Sequence, residues 1–356
     1  MNQQSTIINN ESATRSAHRQ PPLGLHSTES GRHRVWGGLA MALLVAIGTV
    51  VSFLPRPSPH FPATSVQPQR MLINSATQVD AQIVAAGELG HLFFSTDAGK
   101  SWQDAKVDPQ RGSTLTRVFF PSPTLGFAVG HDNWILRTED GGKTWQEAGF
   151  AGENSEVLLD VWGQAQGPFF AVGSFGSFLT STDKGKSWTA RDTGLGDRHL
   201  YALSGAGETH LMLVGESGLV ARSSDQGATW TRLPEFYKGS FFGLVALSPD
   251  TWLVYGMRGK VYRTQDFGVT WKEIDSGTTA ALYGGTRTRE GNVVLVGEGG
   301  VVTVSQDHGQ TFKRTHAGGG QSLSSVSEAT DTRLIFVGLA GITQQAQQPV
   351  QRKTVE

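Results

Sequence analysis

Six short stretches of the sequence place an aspartate between hydroxyl side chains, and three of them add a lysine. One example is STDKGKSW, which contains Ser181, Asp183 and Lys184. A hydroxyl, a carboxylate and an amine side by side are the groups used in nucleophilic and general acid–base catalysis. The first question is therefore whether these stretches are active sites.

The repetition of the pattern favours a structural role. Successive box aspartates are separated by 43, 43, 42, 41 and 41 residues. In Ser/Thr-x-Asp-x-Gly-x-Ser/Thr-Trp, the carboxylate accepts backbone N–H groups of a tight turn and the glycine supplies a positive φ. The aromatic residue is predicted to bury its ring between neighbouring units. The predicted structural residues are Asp97, Gly99, Trp102, Asp140, Gly142, Trp145, Asp183, Gly185, Trp188, Asp225, Gly227, Trp230, Asp266, Gly268, Trp271, Asp307, Gly309 and Phe312.

A second set of equally spaced glycines extends the repeat to seven copies. Each glycine ends an apolar run such as FFAVG or LMLVG: Gly87, Gly130, Gly173, Gly215, Gly256, Gly297 and Gly338. The residue 15 positions earlier is apolar in every copy: Leu72, Leu115, Leu158, Leu200, Phe241, Leu282 and Leu323. A period just above 40 residues, with four short strands per copy, predicts an all-β fold, a seven-bladed β-propeller over residues 71–346. The seventh copy has no aspartate box, so its outer strand is either missing or supplied by residues just before Met71.

The N-terminus predicts a membrane anchor. Residues 35–54 form an uncharged run of 20 residues, and a helix of that length spans about 30 Å of hydrocarbon. Arg15, Arg19, Arg32 and Arg34 precede the run and only Arg56 follows closely, which favours a cytoplasmic, disordered tail over residues 1–34 and an exported propeller at the inner membrane, in the periplasm or an equivalent space.

A cleaved secretory signal is the alternative, but the run is long for a signal core and is followed by prolines rather than by a small-x-small site. Residues 55–70 then form a Pro-rich linker, and residues 347–356 a C-terminal tail.

The whole unit AVGSFGSFLTSTDKGKSW, with its Val-Gly-x-x-Gly turn at fixed spacing before the aspartate box, resembles the photosystem II stability and assembly factor family. The box itself is that of the bacterial neuraminidase repeat. The resemblance covers about residues 71–341 and implies a non-enzymatic, monomeric propeller without cofactor. It also implies an extracytoplasmic protein that binds an integral membrane protein during assembly. A net charge of -1 excludes nucleic-acid binding through bulk charge.

The alternative class is a sialidase-like glycan-binding or glycoside hydrolase propeller. No Arg-Ile-Pro motif occurs, and the tyrosines lie in no recognisable nucleophile context. Arg137, Arg222 and Arg263 each stand three residues before a box aspartate, which suggests exposed strand positions. The absence of cysteine excludes thiolate metal sites, and the histidines show no metal-ligand spacing, so no metal is predicted.

Partner binding is predicted at the turns between second and third strands and at the links between blades. These positions differ from blade to blade, as an asymmetric partner requires, and loops on a rigid scaffold commonly carry binding. The predicted residues are Arg111, His131, Asp132, Arg198, Glu216, Tyr237, Lys238, Met257, Arg258 and Glu298, with Phe175 at an equivalent turn.

Overall fold

The computed structural model describes residues 30–53, 67–316 and 320–345. The chain divides into two units, one of which contains the helix α1 (Ser30–Phe53) and the other all the strands. Among the described residues, no helix is long and apolar enough to cross a membrane. The membrane crossing predicted for residues 35–54 is therefore not confirmed. The N-terminal tail up to residue 29, the linker up to residue 66 and the C-terminal tail lie outside the described residues.

The second unit is a seven-bladed β-propeller, as predicted. Its seven sheets follow one another along the chain, and six of them are antiparallel throughout. The first three blades contain β1 (Ile73–Val79), β2 (Gln82–Gly87), β3 (Leu92–Ser95) and β4 (Gln103–Asp104); β6 (Leu115–Phe119), β7 (Gly126–Gly130), β8 (Ile135–Thr138) and β9 (Thr144–Gly149); and β10 (Leu158–Gly163), β11 (Phe169–Gly173), β12 (Phe178–Ser181) and β13 (Thr189–Ala190). The short strand β5 (Lys106–Asp108) leaves the first blade and pairs in parallel with β9.

The remaining four blades continue the pattern. Their strands are β14 (Leu200–Ala206), β15 (His210–Gly215), β16 (Val220–Ser223) and β17 (Thr231–Arg232); β18 (Phe241–Ala246), β19 (Trp252–Gly256), β20 (Val261–Thr264) and β21 (Lys272–Ile274); β22 (Leu282–Arg287), β23 (Val293–Gly297), β24 (Val301–Ser305) and β25 (Lys313–His316); and β26 (Leu323–Glu328), β27 (Leu334–Gly338) and β28 (Gly341–Gln345). A 3-10 turn joins the second and third strands of blades one to six: Glu88–Gly90, His131–Asn133, Ser174–Gly176, Glu216–Gly218, Met257–Gly259 and Glu298–Gly300.

The second strand of each blade is buried on both faces because another blade packs on either side. In β7, β11, β19, β23 and β27 every residue is buried, which explains why these strands are continuously apolar rather than alternating. The core is divided into clusters that each join two neighbouring blades. One of them packs Val84 and Phe94 of the first blade against Ala128 and Trp145 of the second.

The repeated glycine at the end of each second strand is required by a close backbone approach. A Cβ on Gly130 would lie 2.1 Å from the carbonyl oxygen of Thr114, and one on Gly297 would lie 1.9 Å from that of Ala281. The inner strand therefore passes too close for any side chain at this position. In the first blade Gly87 lies opposite Ile73, so Ile73, and not the predicted Leu72, takes the place of Leu115 and its counterparts.

The seventh blade has three strands in the part of the chain that the structure describes. The residues before Met71 do reach its open edge, because Ile342 N–H donates to the carbonyl oxygen of Pro68 at 3.2 Å. This single bond is the only trace of the predicted outer strand within residues 67–70.

Each junction between blades is bridged by an arginine or glutamine side chain that donates to a backbone carbonyl of the next blade. We call these side chains the junction donors: Gln82 to Gly141, Arg137 to Lys184, Arg191 to Gly227 and Ala228, Arg222 to Phe267, Arg263 to His308, Arg289 to Ala329 and Thr330, and, closing the ring, Arg333 and Gln344 to Ala98. The prediction of Arg137, Arg222 and Arg263 as mere exposed strand positions was therefore wrong.

Candidate functional site: the tip face

The aspartate box of the third blade shows what the repeated carboxylates do. Asp183 Oδ1 accepts Ser181 Oγ at 2.8 Å and the backbone N–H groups of Lys186 and Ser187 at 3.0 Å. Its Oδ2 accepts Ser187 Oγ at 2.6 Å. Lys184 and Gly185 both have positive φ, 62° and 74°, as the tight turn requires. All the side-chain groups that suggested chemistry, other than the lysine amine, are thus spent on the turn itself.

The hydrogen bonds lower the pKa of all six box carboxyls. For Asp97 and Asp183 the largest cause is the hydroxyl four residues later, and for Asp225 it is the Ser223 hydroxyl, which together with Thr229 lowers its pKa to about 2. In Asp140, Asp266 and Asp307 burial acts in the opposite direction, but the hydrogen bonds outweigh it and the pKa stays low. A carboxyl with so low a pKa holds no proton to donate at neutral pH.

The box aromatic residues pack between blades, as predicted. Trp145 is fully buried in the cluster that joins the first two blades. Trp188 meets Phe127 of the preceding blade edge-on at 5.8 Å, and Trp230 meets Phe178 in the same way. The boxes are therefore structural, and the face of the propeller that they form is called the box face.

The opposite face carries the 3-10 turns and the links between blades, because alternate turns of an antiparallel sheet lie at opposite ends. We call it the tip face. The middle residue of each 3-10 turn has left-handed φ, and only one of the six is a glycine: Leu89, Asp132, Phe175, Ser217, Arg258 and Gly299. Phe175 combines this strained backbone with 68% exposure of a large apolar residue. Such a conflict marks a candidate for binding.

Five of the predicted partner-binding residues line one groove on the tip face. The groove has a volume of about 660 Å³ and lies between the turns of blades four and five and the link that joins them. Tyr237 Oη donates to the Met257 carbonyl at 3.1 Å and fixes the link against the turn. The predicted residues in the groove wall are Glu216, Tyr237, Lys238, Met257 and Arg258.

The other predicted residues lie elsewhere on the tip face, and three of them hold the scaffold. Arg111 forms a two-point ion pair with Glu147, at 2.8 and 2.9 Å. Asp132 accepts Ser113 Oγ and the Asn154 N–H. Glu298 accepts the Ala281 N–H at 3.2 Å, and Glu216 in the groove accepts that of His199 in the same way.

His131 is exposed at the turn of the second blade, while Arg198 is half-buried in the link between blades three and four. Sequence variation from blade to blade therefore marked residues of two kinds, some free to bind and some structural.

An aromatic arc on the tip face was missed by the sequence analysis. Its rings form a row across blades three to six, with centroid distances of 4.9, 6.1, 5.2 and 5.6 Å: Phe175, His199, Tyr201, Phe242 and Tyr283. The last three each follow a registered apolar residue, Leu200, Phe241 or Leu282, at a spacing of 41 residues. That spacing was the signal that could have revealed them.

The buried carboxyl of Asp160 also serves the scaffold. Burial raises its pKa, and Arg117, whose Nε lies 3.0 Å from Oδ1, opposes that effect. Asp160 Oδ2 accepts the Leu203 N–H of the next blade at 2.9 Å. In the described part of the chain, no group of three or more His, Asp or Glu residues could hold a metal ion.

These features define a class of protein: a seven-bladed propeller whose boxes hold the fold and whose opposite face is asymmetric and partly apolar. The family model for the photosynthesis system II assembly factor YCF48 matches residues 57–139 and 143–337. The chain belongs to this family. No curated protein matches it.

Solved structures of low sequence identity share the fold. The structure "YCF48 bound to D1 peptide" has a TM-score of 0.63 at 18% identity and covers 81% of this chain and 99% of its own. YCF48 from Cyanidioschyzon merolae has a TM-score of 0.63 at 16% identity, covering 79% of this chain and 97% of its own. A streptogramin B lyase has a TM-score of 0.68 at 11% identity, covering 79% and 94%. An enzyme and assembly factors thus have this architecture in common, so the fold alone does not decide function.

Proposed function

We propose that this chain is a non-catalytic assembly factor that binds a segment of an integral membrane protein on its tip face. Membership of the YCF48 family supports the assembly role. A relative of similar fold is bound to a D1 peptide, which supports a peptide segment of a membrane protein as the kind of ligand.

The groove between blades four and five carries the proposal. It collects five predicted binding residues, two of them exposed cations, Lys238 and Arg258. The aromatic arc begins beside it and provides apolar surface. Large exposed apolar side chains that are rimmed by polar groups mark interaction sites. A shallow surface of this kind suits a segment of a protein better than a small molecule, which needs a deeper pocket.

The low pKa of the box carboxyls supports a role without catalysis. Each of these carboxylates is saturated by hydrogen bonds, and none is available as a general acid. A glycan-directed propeller is the competing function, and it is one outcome of the experiment below.

We also propose that residues 35–54 anchor the chain in the inner membrane and that the propeller lies on the extracytoplasmic side. The uncharged run and the arginines before it support this orientation. An anchor in the same bilayer as the client would raise its effective concentration near the tip face. Alkaline carbonate extraction of membranes tests the anchor: an anchored chain stays with the lipid, and a chain released into the supernatant contradicts it.

The test of the binding function is a crosslinking pull-down of the full chain from its native membranes. Wild type should recover one integral membrane complex. The variant Lys238→Glu/Arg258→Glu should recover at least about tenfold less, because a disrupted charged contact at an interface costs roughly 2 kcal/mol or more. The matched control Lys100→Glu/Lys186→Glu makes the same charge change on the box face and should recover the complex like wild type. Recovery of no protein, together with retention or cleavage of a glycan by the purified chain, would contradict the proposal.

A further inference from the structure

The inner ends of the aromatic arc lie where three inner strands bulge. Tyr201, Phe242 and Tyr283 each occupy the unpaired position of a strand whose register shifts by one residue. The equivalent residues of blades one and two, Asn74 and Thr116, instead donate across the junction to the carbonyls of Leu115 and Leu158. The aromatic side chains of blades four to six are therefore not needed for that junction bond.

The three rings face different directions. Tyr201 and Phe242 are inclined at 81°, and Phe242 and Tyr283 at 47°. Tyr283 is 39% exposed, while Tyr201 and Phe242 are half-buried. Rings set at steep angles to one another form concave walls, and each ring face carries the negative end of a quadrupole.

Two carboxylates stand beside the rings and are fixed in place. Burial and, after it, the Glu216 carboxylate raise the pKa of Tyr201, and Glu298 acts on Tyr283 in the same way. Each glutamate accepts one inner-strand N–H through Oε2, from His199 and Ala281 respectively. The site therefore combines aromatic faces with two negative charges that cannot swing away freely.

This combination fits a cation rather than an apolar group. An aliphatic occupant would take water away from the two carboxylates without pairing them, which is costly. Within the described residues, the arginines that lie over a ring are Arg111 over Phe150 and Arg222 over Phe267, both outside the arc. No cation of the described chain fills the site.

We propose that the aromatic arc, with Glu216 and Glu298, binds an arginine or lysine side chain of the client protein. This inference rests on the proposed function and specifies one residue type that the client segment must contain. It places recognition of a basic residue at the inner end of the tip face, while the cations Lys238 and Arg258 lie at the outer groove.

The test compares two short peptides on the full chain in an uncharged detergent. The probes are acetyl-Gly-Arg-Gly-amide and the same peptide with citrulline, which keeps the shape of arginine but carries no charge. Dissociation constants are measured by ligand-observed saturation-transfer NMR. We expect the arginine peptide to bind at least about fivefold more tightly, since a cation over aromatic faces gains roughly 1 kcal/mol or more. Equal binding of both peptides would overturn the inference.

Variants distinguish a cation site from an apolar one. Tyr283→Leu and Phe242→Leu keep apolar volume but remove a ring, and they should abolish the preference for arginine, whereas Tyr283→Phe should retain it. Glu298→Gln keeps an acceptor for Ala281 but removes the charge and should reduce the preference. Val269→Ala, at a 68% exposed residue of the box face, is the control and should change nothing. An unchanged preference in both leucine variants, with unfolding temperatures like wild type, would contradict the proposal.

A third probe separates a protein side chain from a lipid headgroup. Phosphocholine also carries a cation, so tighter binding of phosphocholine than of the arginine peptide would overturn the assignment to a client residue. The inference and the proposed function can fail separately. If the peptides do not bind but the pull-down still depends on Lys238 and Arg258, the assembly role stands and only the cation site is lost.

Discussion

At the residue scale, the hydroxyl that opens each box contributes as much to the turn as the aspartate does. Ser223 is buried, donates to Asp225 at 2.6 Å and accepts the Gly227 N–H at 2.8 Å. Gly227 has φ of 82°, so its N–H is directed inward and depends on this oxygen. The sequence predicted the aspartate and the glycine correctly, but the double role of the serine needs the distance between its oxygen and an N–H four residues later.

The first prediction concerns this serine. Ser223→Ala should lower the free energy of unfolding by about 1–3 kcal/mol, because the Gly227 N–H is left buried without a partner. The adjacent exposed Ser224→Ala is the matched control and should change it by less than about 0.5 kcal/mol. Urea unfolding measures both, and equal effects of the two substitutions would contradict the role of Ser223.

The second prediction concerns acid. The pKa of each box carboxyl is lower in the folded chain than the value of about 3.9 expected after unfolding, and it is about 2 in Asp225, Asp266 and Asp307. The unfolded chain therefore takes up more protons, so the contribution is complete above about pH 5 and is lost as the pH falls from about 4 towards 2. Urea unfolding at a series of pH values should show this loss, and Asp225→Asn should make it smaller. A profile that is the same in the variant and wild type would contradict it.

At the element scale, the junction donors explain how blades without covalent links form one ring. Arg222 reaches from β16 to the carbonyl of Phe267 at 2.6 Å, and its guanidinium also lies over the Phe267 ring at 5.2 Å. The acceptor residue belongs to the box turn of the next blade and has a left-handed φ of 52°. The unusual backbone of the box thus turns a carbonyl towards the neighbouring blade.

The third prediction is that these bridges stabilise the ring. Arg222→Ala should lower the free energy of unfolding by about 1.5–3 kcal/mol, since it removes a hydrogen bond from a charged donor. Arg232→Ala, on the exposed outer strand of the same blade, is the control and should have an effect below about 0.5 kcal/mol. If chemical denaturation gives equal losses for both, the junction donor has no special role.

The elements themselves were predictable to different degrees. Strand number, blade number and the box turns followed from spacing alone, because each blade repeats the same local interactions. The junction donors did not, because Arg137 and Lys184 are 47 residues apart and only the packing of two blades brings them together. For the same reason the register of the first blade was predicted one residue away from Ile73.

At the scale of the whole molecule, the seventh blade is the weak point of the ring. It lacks the fourth strand in the described residues, and its bonds to the first blade are those of Arg333 and Gln344 to the Ala98 carbonyl. Elements with few hydrogen bonds open locally at lower free energy than the rest of a fold.

The fourth prediction places the first opening of the ring there. Arg333→Ala/Gln344→Ala should speed amide hydrogen exchange at least severalfold in blades one and seven and leave blades three to five unchanged. Arg222→Ala should show the reverse pattern. Mass spectrometry of exchanged peptides measures both, and uniform acceleration over all blades would contradict a local opening.

The tip face was predicted as a surface but not as a site. The turns were located by the repeat, and the groove residues Tyr237, Lys238, Met257 and Arg258 were among those named from sequence. The aromatic arc was not, because its rings come from inner strands of different blades and meet only when the ring closes.

The most direct test of the account is to find which face contacts a membrane protein. A photo-crosslinking amino acid is placed at Phe175 or Met257 on the tip face, and at Val269 or Lys186 on the box face, in the full chain in its native membrane. The account predicts that both tip-face positions crosslink to the same integral membrane protein and that neither box-face position does. Crosslinks to that protein from the box face alone would contradict it.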